Sequence, residues 1–196
     1  MHRIVNIRGT SGSGKTTVVR RLLDHWEERG YRKAEVQQEL VEGKTRKIGH
    51  WVGPVFILGK YDTTCGGCDT MSWKGAADYI CSLVKRQAQL GPVVFEGLMV
   101  SGWGTGRLRT LWEETGQQLH VIQLTTPLDT CLASVQERRV ARATLKGEEA
   151  KPLNPENTTA KWHGTMRGSE LLVKAGVPVE FLDREAAYLR VRELVG

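Results

Sequence analysis

Two short stretches of the chain combine residue types that can do chemistry. The first, GTSGSGKT, runs through Gly9, Thr10, Ser11, Gly12, Ser13, Gly14, Lys15 and Thr16, with Thr17 directly after it. In a G-x-x-x-x-G-K-T pattern the glycines let backbone N–H groups turn inward around a phosphate. The lysine then reaches the β- and γ-phosphates and the hydroxyl ligates Mg²⁺. The pattern carries this meaning only between a strand and a helix. The flanks supply both: Ile4 to Ile7 is a short apolar strand, and Val18, Val19, Leu22, Leu23 and Trp26 recur at helical spacing until Gly30 closes the helix.

The second stretch, KYDTTCGGCDT at 60–70, holds Tyr61, Asp62, Cys65, Gly66, Gly67, Cys68 and Asp69. Its C-x-x-C spacing suits half a zinc site, a redox pair or a substrate loop. A structural zinc site needs four N or S ligands, and the histidines show no H-x₃₋₅-H spacing. The pair does not open a thioredoxin-like helix either. Position favours the third reading, because the stretch follows the apolar strand Val55 to Leu58, where an α/β sheet places its ligands. A Gly-Gly pair lets backbone approach a substrate closely. Asp62 is the candidate general base, with its carboxylate expected to point toward the γ-phosphate, and Asp69 is the alternative.

These stretches need a scaffold, and the rest of the chain reads as alternating strands and helices. MSWKGAADYICSLVKRQAQLG is a helix with Trp73, Ala77, Ile80, Cys81, Val84 and Ala88 toward the sheet. PVVFEG is a continuously apolar strand, as expected of a parallel strand covered on both faces, and it ends in Glu96. Glu96 is the candidate for orienting a metal-bound water. A short helix near Leu108 to Thr115, a strand over His120 to Thr126, a helix begun at Thr126-Pro127, a strand in VPVEFLD and a terminal helix from Arg184 follow. The helix after Pro127 carries Arg138, Arg139 and Arg142 at its far end, and the polar, aperiodic TLKGEEAKPLNPENTT reads as a mobile loop.

The expected fold is therefore α/β, a P-loop NTPase of nucleotide-kinase-like type, built on a doubly wound parallel sheet of about five strands. We expect one domain over 1–196, with an inserted β-hairpin at 31–51 and an arginine-bearing lid at 138–157. The chain lacks the Asn-Lys-x-Asp guanine motif and the Leu-Ser-Gly-Gly-Gln signature, so small GTPases and transporter ATPases fit poorly.

Charge adds a partner class. The net charge is +6, of which residues 1–50 contribute +5 (11 Lys/Arg less 6 Asp/Glu). Much of this lies in the hairpin, with Lys44, Arg46 and Lys47 at or near its expected turn Glu42-Gly43-Lys44. A basic hairpin suits a polyanion, although a solvated charged face is an equally good reading. Four cysteines without a long apolar N-terminal run suggest free thiols in a reducing cytosol and no membrane. Cys81 and Cys131 fall on apolar helical stripes and read as core residues. No feature specifies an oligomeric state.

Three blocks, IRGTSGSGKTTVVRRL, GKYDTTCGGCDT and VVFEGLMVS, together resemble the bacteriophage P-loop kinases that phosphorylate 5-hydroxymethyluracil within DNA, a step in making hypermodified thymine. Past residue 110 the likeness is to nucleotide kinases in general, through the arginine-bearing helix. Glu96 departs from the aspartate most P-loop enzymes carry. The resemblance implies ATP and Mg²⁺ as cofactors, DNA containing 5-hydroxymethyluracil as partner, and the cytoplasm of an infected bacterium as location. It implies catalytic roles for Lys15, Arg138 and Arg139, with Arg142 on the nucleotide. Since a base inside a duplex is out of reach, it would be flipped out. Trp103, in GLMVSGWGTGR, could stack on that base or fill the core. Two competing readings share these motifs: a kinase of free nucleosides or nucleotides, and a nucleic-acid-binding NTPase with no acceptor.

Overall fold

The computed structural model describes residues 1–40, 44–62, 66–71 and 73–196, the side chains of 38–40 and 44 excepted. Cys65 and the expected turn at Glu42-Gly43 lie outside the described residues, as does the side chain of Lys44.

Seven strands form one sheet in the order β2-β3-β4-β5-β1-β6-β7. Five of them, β1 (Ile4–Arg8), β4 (Val55–Leu58), β5 (Val93–Glu96), β6 (Leu119–Leu124) and β7 (Val179–Leu182), run parallel. Alternation along these strands divides the core in two. Ile4, Phe56, Leu58, Val93, Phe95 and Val121 face one layer, while Val5, Ile7, Val55, Ile57, Val94 and Ile122 face the other.

Helices α1 (Lys15–Glu27) and α7 (Arg184–Val195) cover the second layer through Val18, Val19, Leu22, Leu23, Ala187 and Val191. Helices α2 (Ala76–Gln87), α3 (Leu98–Ser101), α4 (Thr105–Glu114) and α6 (Pro155–Lys174) add residues to the first. The apolar spacing read in α1 matches its buried face. In α2 the buried face is rotated by one residue, to Ala76, Ile80, Leu83, Val84 and Gln87, leaving Ala77 and Cys81 partly exposed.

Strands β2 (Ala34–Leu40) and β3 (Lys44–Val52) pair antiparallel, and β3 continues antiparallel onto β4. The basic hairpin thus extends the main sheet, and its base is core: Ile48 and Val52 are buried. Gly49 permits this join, since a Cβ there would lie 2.5 Å from the Ile57 carbonyl oxygen.

Beyond β6, α5 (Leu128–Lys146) runs longer than its apolar stripe suggested. The expected loop at 144–159 shrinks to residues 147–154, because its first residues end α5 and its last begin α6. The start of α6 has a plain local cause: the Asn154 side chain accepts from the Glu156 N–H, and Pro155 occupies the first turn. Among the described residues no helix is long and apolar enough to cross a membrane.

Candidate active site

Strand β1 leads into the phosphate loop at the point where strand order reverses, with β5 on one side and β6 on the other. That is where a doubly wound sheet opens a crevice at its strand C-termini. A cleft of about 510 Å³ lies there, lined by loop residues from Ser11 to Thr17 and by Gly66, Asp69, Glu96, Arg138 and Arg184.

The loop is clamped from outside. Gly12 and Gly14 have φ of +81° and +95°, and there is no room for side chains: a Cβ at Gly12 would meet the Cys131 carbonyl, and one at Gly14 the Arg184 guanidinium. The Arg184 guanidinium donates to the carbonyls of Gly12 and Ser13, each at 3.0 Å, and the Thr126 hydroxyl donates to Ser13 at 2.7 Å. With those carbonyls held outward, the loop's N–H groups and the α1 N-terminus are left to an anion.

Lys15 is buried, and its ammonium donates to the carbonyls of Gly9 and Thr10 at 2.9 Å each. Burial lowers its pKa, and the carboxylates of Glu96 and Asp69 oppose that shift. Glu96, 1% exposed, accepts a 3.0 Å hydrogen bond from the Thr16 hydroxyl. Burial pushes its pKa up to about 7 against the opposing pull of Lys15 and the Thr16 hydroxyl. Paired hard oxygen donors of this kind suit Mg²⁺, which keeps most of its waters and takes one or two protein ligands beside substrate phosphates.

The second stretch behaves differently from its sequence reading in several places. Asp62 is exposed and pairs with Lys47 at 3.3 Å. It lines a separate cavity of about 200 Å³ with Tyr61 and His50, which shares only Arg20 with the phosphate-loop cleft. The chain folds back at Lys60–Gly67, which turns Asp62 away from the sheet edge and brings Asp69 there instead. Asp69 sits in a 3₁₀ turn, Cys68–Thr70, and its carboxylate accepts from the N–H groups of Leu98 and Met99 at 2.9 and 3.0 Å. It therefore caps α3 while facing the cleft.

Cys68 is also corrected. It is fully buried in the core rather than lining the cleft, and burial pushes its thiol pKa well up. Gly66 does line the cleft, and Gly67 packs so closely that a Cβ would lie 2.4 Å from the Glu96 carbonyl oxygen. We expect Cys68 to resist thiol reagents in the native state, and Cys68→Ser to cost about 1–3 kcal/mol by burying an unpaired hydroxyl. Denaturant unfolding checks this, and rapid Cys68 labelling in the folded protein would contradict it.

Of the three arginines on α5, Arg138 lines the cleft. Arg139 instead donates to the Pro152 carbonyl at 2.8 Å, tying α5 to the segment before α6, and Arg142 is exposed outside the cleft. Adjacent helical positions point about 100° apart, so Arg138 and Arg139 cannot both face the cleft. Trp103 is buried, 6.3 Å from the Phe95 ring, and borders a further cavity beside the cleft. In the hairpin, Lys47 is held between Glu35 and Asp62, while the exposed Arg46 guanidinium lies 5.6 Å from the Trp73 ring centre.

Sequence reading missed Arg184, although its place just after β7, at the ligand-binding edge, was a usable signal. It also missed Arg8, which continues β1 by one residue and is buried beneath the loop.

No family model matches the chain. It is 38% identical over 194 residues, 98% of this chain and 97% of the relative, to a Pseudomonas phage PaMx11 protein named 5-hmdU DNA kinase. It is 26% identical over 203 residues, 98% of this chain and 72% of the relative, to a protein of the same name from Delftia phage PhiW-14. Among solved structures, the Deinococcus radiodurans tunicamycin resistance protein aligns over 98% of this chain and 95% of its own, with a TM-score of 0.52 and 14% identity. That likeness supports the fold, a mostly parallel sheet flanked by helices.

Proposed function

The chain belongs to the family of phage 5-hmdU DNA kinases, and from that premise we propose that it moves the γ-phosphoryl group of ATP onto the hydroxymethyl oxygen of 5-hydroxymethyluracil in DNA. The observation that carries the chemistry is the convergence of Lys15, Thr16, Glu96, Asp69 and Arg138 on one cleft at the strand C-termini. The acceptor comes from the family, and nothing in the cleft replaces it with another.

In this reading the phosphate loop holds the β-phosphate, and Lys15 leaves the carbonyls of Gly9 and Thr10 for the β- and γ-phosphate oxygens. Thr16 and Glu96 would hold Mg²⁺ and its waters, which would supply charge neutralisation at the transferring group. The hydroxymethyl oxygen attacks the γ-phosphorus, the bond to the β–γ bridging oxygen breaks, and ADP leaves with that electron pair. Asp69 takes the hydroxyl proton. Arg138 stabilises the charge that spreads over the equatorial oxygens. The acceptor base leaves the helix so that its 5-substituent, which otherwise projects into the major groove, can enter the recessed cleft.

The base assignment separates two variants. Asp62→Asn should leave kcat within about twofold, because it loses only an exposed ion pair of small worth. Asp69→Asn should lower kcat by about 10²-fold or more while KM for ATP holds. Steady-state kinetics on modified DNA decide it, and the reverse ranking would return the role to Asp62.

The hairpin supplies the DNA contact through Arg46, with Lys47 held back by its two carboxylates. Arg46→Glu should weaken binding of DNA of any sequence and lower the slope of log affinity against log salt by about one, with ATP affinity unchanged. An unaltered slope would make the hairpin a solvated face.

The reading as a whole is tested by offering γ-labelled ATP with 5-hydroxymethyluracil DNA, thymine DNA, free nucleosides and free nucleotides. Label should enter the first alone. Label on a small molecule would indicate a nucleoside or nucleotide kinase, and released phosphate without an acceptor an NTPase.

A further inference from the structure

Arg8 presents an unusual problem of charge. It is 1% exposed at the end of β1, and among the described residues no carboxylate pairs with it. Its Nε donates to the Ser169 hydroxyl at 3.1 Å and its Nη2 to the Ser101 carbonyl at 2.7 Å, while Nη1 has no partner. Burial alone pulls its pKa down to about 10. A buried charge without a counter-charge is costly and calls for a functional or structural reason.

Arg8 also borders a cavity of about 440 Å³ between α3–α4 and α6. The walls suit a flat ring: Trp103 lines one side, and α6 presents Gly164 and Gly168 on another. At Gly168 a Cβ would lie 3.1 Å from Nη2, so a larger residue there would crowd the guanidinium. Gly164 is different, for a Cβ there meets no protein atom within 4 Å. Trp103 brings a second buried donor without a partner, its Nε1. Leu98 borders both this cavity and the phosphate-loop cleft, so a substituent on a ring in one can reach the other.

We propose that this cavity receives the flipped pyrimidine of the acceptor nucleotide, with Arg8 Nη1 donating to the C4 carbonyl and the 5-hydroxymethyl group directed past Leu98 into the cleft. The proposal rests on the reading that the acceptor is 5-hydroxymethyluracil in DNA. Uracil offers carbonyl oxygens at both C2 and C4, a match for two buried donors. Cytosine replaces the C4 carbonyl with an amino group, which would face the guanidinium donor to donor. A site whose buried polar groups are left unpaired by an analogue rejects it strongly.

The test compares wild type, Gly164→Leu and Arg8→Gln on otherwise identical DNA carrying 5-hydroxymethyluracil or 5-hydroxymethylcytosine, with ATP affinity and Tm measured alongside. Wild type should favour the uracil by about 10²-fold or more. Gly164→Leu adds bulk at the cavity lining, where an added Cβ meets no protein atom within 4 Å, and removes a glycine from a helix interior. It should lose transfer to modified DNA by about 10²-fold while ATP affinity holds and Tm holds or rises. Arg8→Gln, which can both donate and accept, should narrow the uracil-to-cytosine preference by about tenfold or more. Wild-type rates in Gly164→Leu would overturn the assignment, as would an Arg8→Gln variant that slows both acceptors equally. A wild type that labels neither DNA would instead remove the acceptor reading, and the cavity assignment with it.

Discussion

Lys15→Ala is expected to lower phosphoryl transfer by about 10³-fold or more, equivalent to about 4 kcal/mol of transition-state stabilisation. Lys15 is the cation that the loop fixes beside the outer phosphates. The other cations that line the cleft among the described residues are placed differently: Arg184 is committed to the carbonyls of Gly12 and Ser13, Arg138 approaches from α5, and Arg20 lies in the second turn of α1. The fold should survive. The ammonium is buried and makes its two hydrogen bonds within its own loop, so its removal also relieves a desolvated charge. Thermal unfolding should therefore shift by no more than a few degrees. Activity within tenfold of wild type would sink the assignment of the cleft.

Glu96→Gln should separate activity from stability in opposite directions. Transfer should fall by about 10²-fold or more, because Gln cannot supply the charge that holds a metal-bound water. Stability should rise at alkaline pH. The folded-state pKa of Glu96, about 7, lies above its ordinary value of 4.5. The native state thus binds the proton more tightly than the unfolded chain does. The protein keeps its full stability from this group below about 4.5 and loses it as pH rises toward 7. At about 1.4 kcal/mol per pH unit, the loss approaches 3 kcal/mol by pH 8. Gln stays neutral and can still accept from Thr16. In metal-free, nucleotide-free protein at pH 8, the variant should melt several degrees higher than wild type, with the gap closing near pH 4.5. A gap that does not change with pH would mean that Glu96 is not destabilised by burial.

Both variants act on residues that were legible in the sequence, and the reason is local. A phosphate loop is one contiguous strand–turn–helix unit, so its spacing alone places Lys15 and Thr16 beside each other. Glu96 was readable because a continuously apolar strand that ends in a carboxylate must present it at the sheet edge. The five parallel strands followed from the same apolar runs. What failed depended on contacts remote in sequence. Asp62 and Asp69 are seven residues apart in one loop, and which of them reaches the cleft is decided by the Lys60–Gly67 closure and the two N–H groups of α3. Cys68 was read as a lining thiol because the loop's polarity concealed how deeply that turn is packed. Helix α6 was passed over because its periodicity is blurred by Gly164 and Gly168, the second of which lies against the Arg8 guanidinium. Arg8 itself looked like an ordinary charge at a strand end, and its significance appears only when α3 and α6 close over it.

The most direct measurement of the central claim locates the transferred phosphate within the DNA. After reaction with γ-labelled ATP, 5-hydroxymethyluracil DNA is digested to nucleosides without phosphatase treatment of base substituents, and the labelled product is identified by mass spectrometry. The account predicts one phosphoryl group on the hydroxymethyl oxygen of the uracil nucleoside, at internal positions along the strand. Label confined to the 5′ end of the strand would contradict it, since that would make the deoxyribose hydroxyl, not the base, the acceptor.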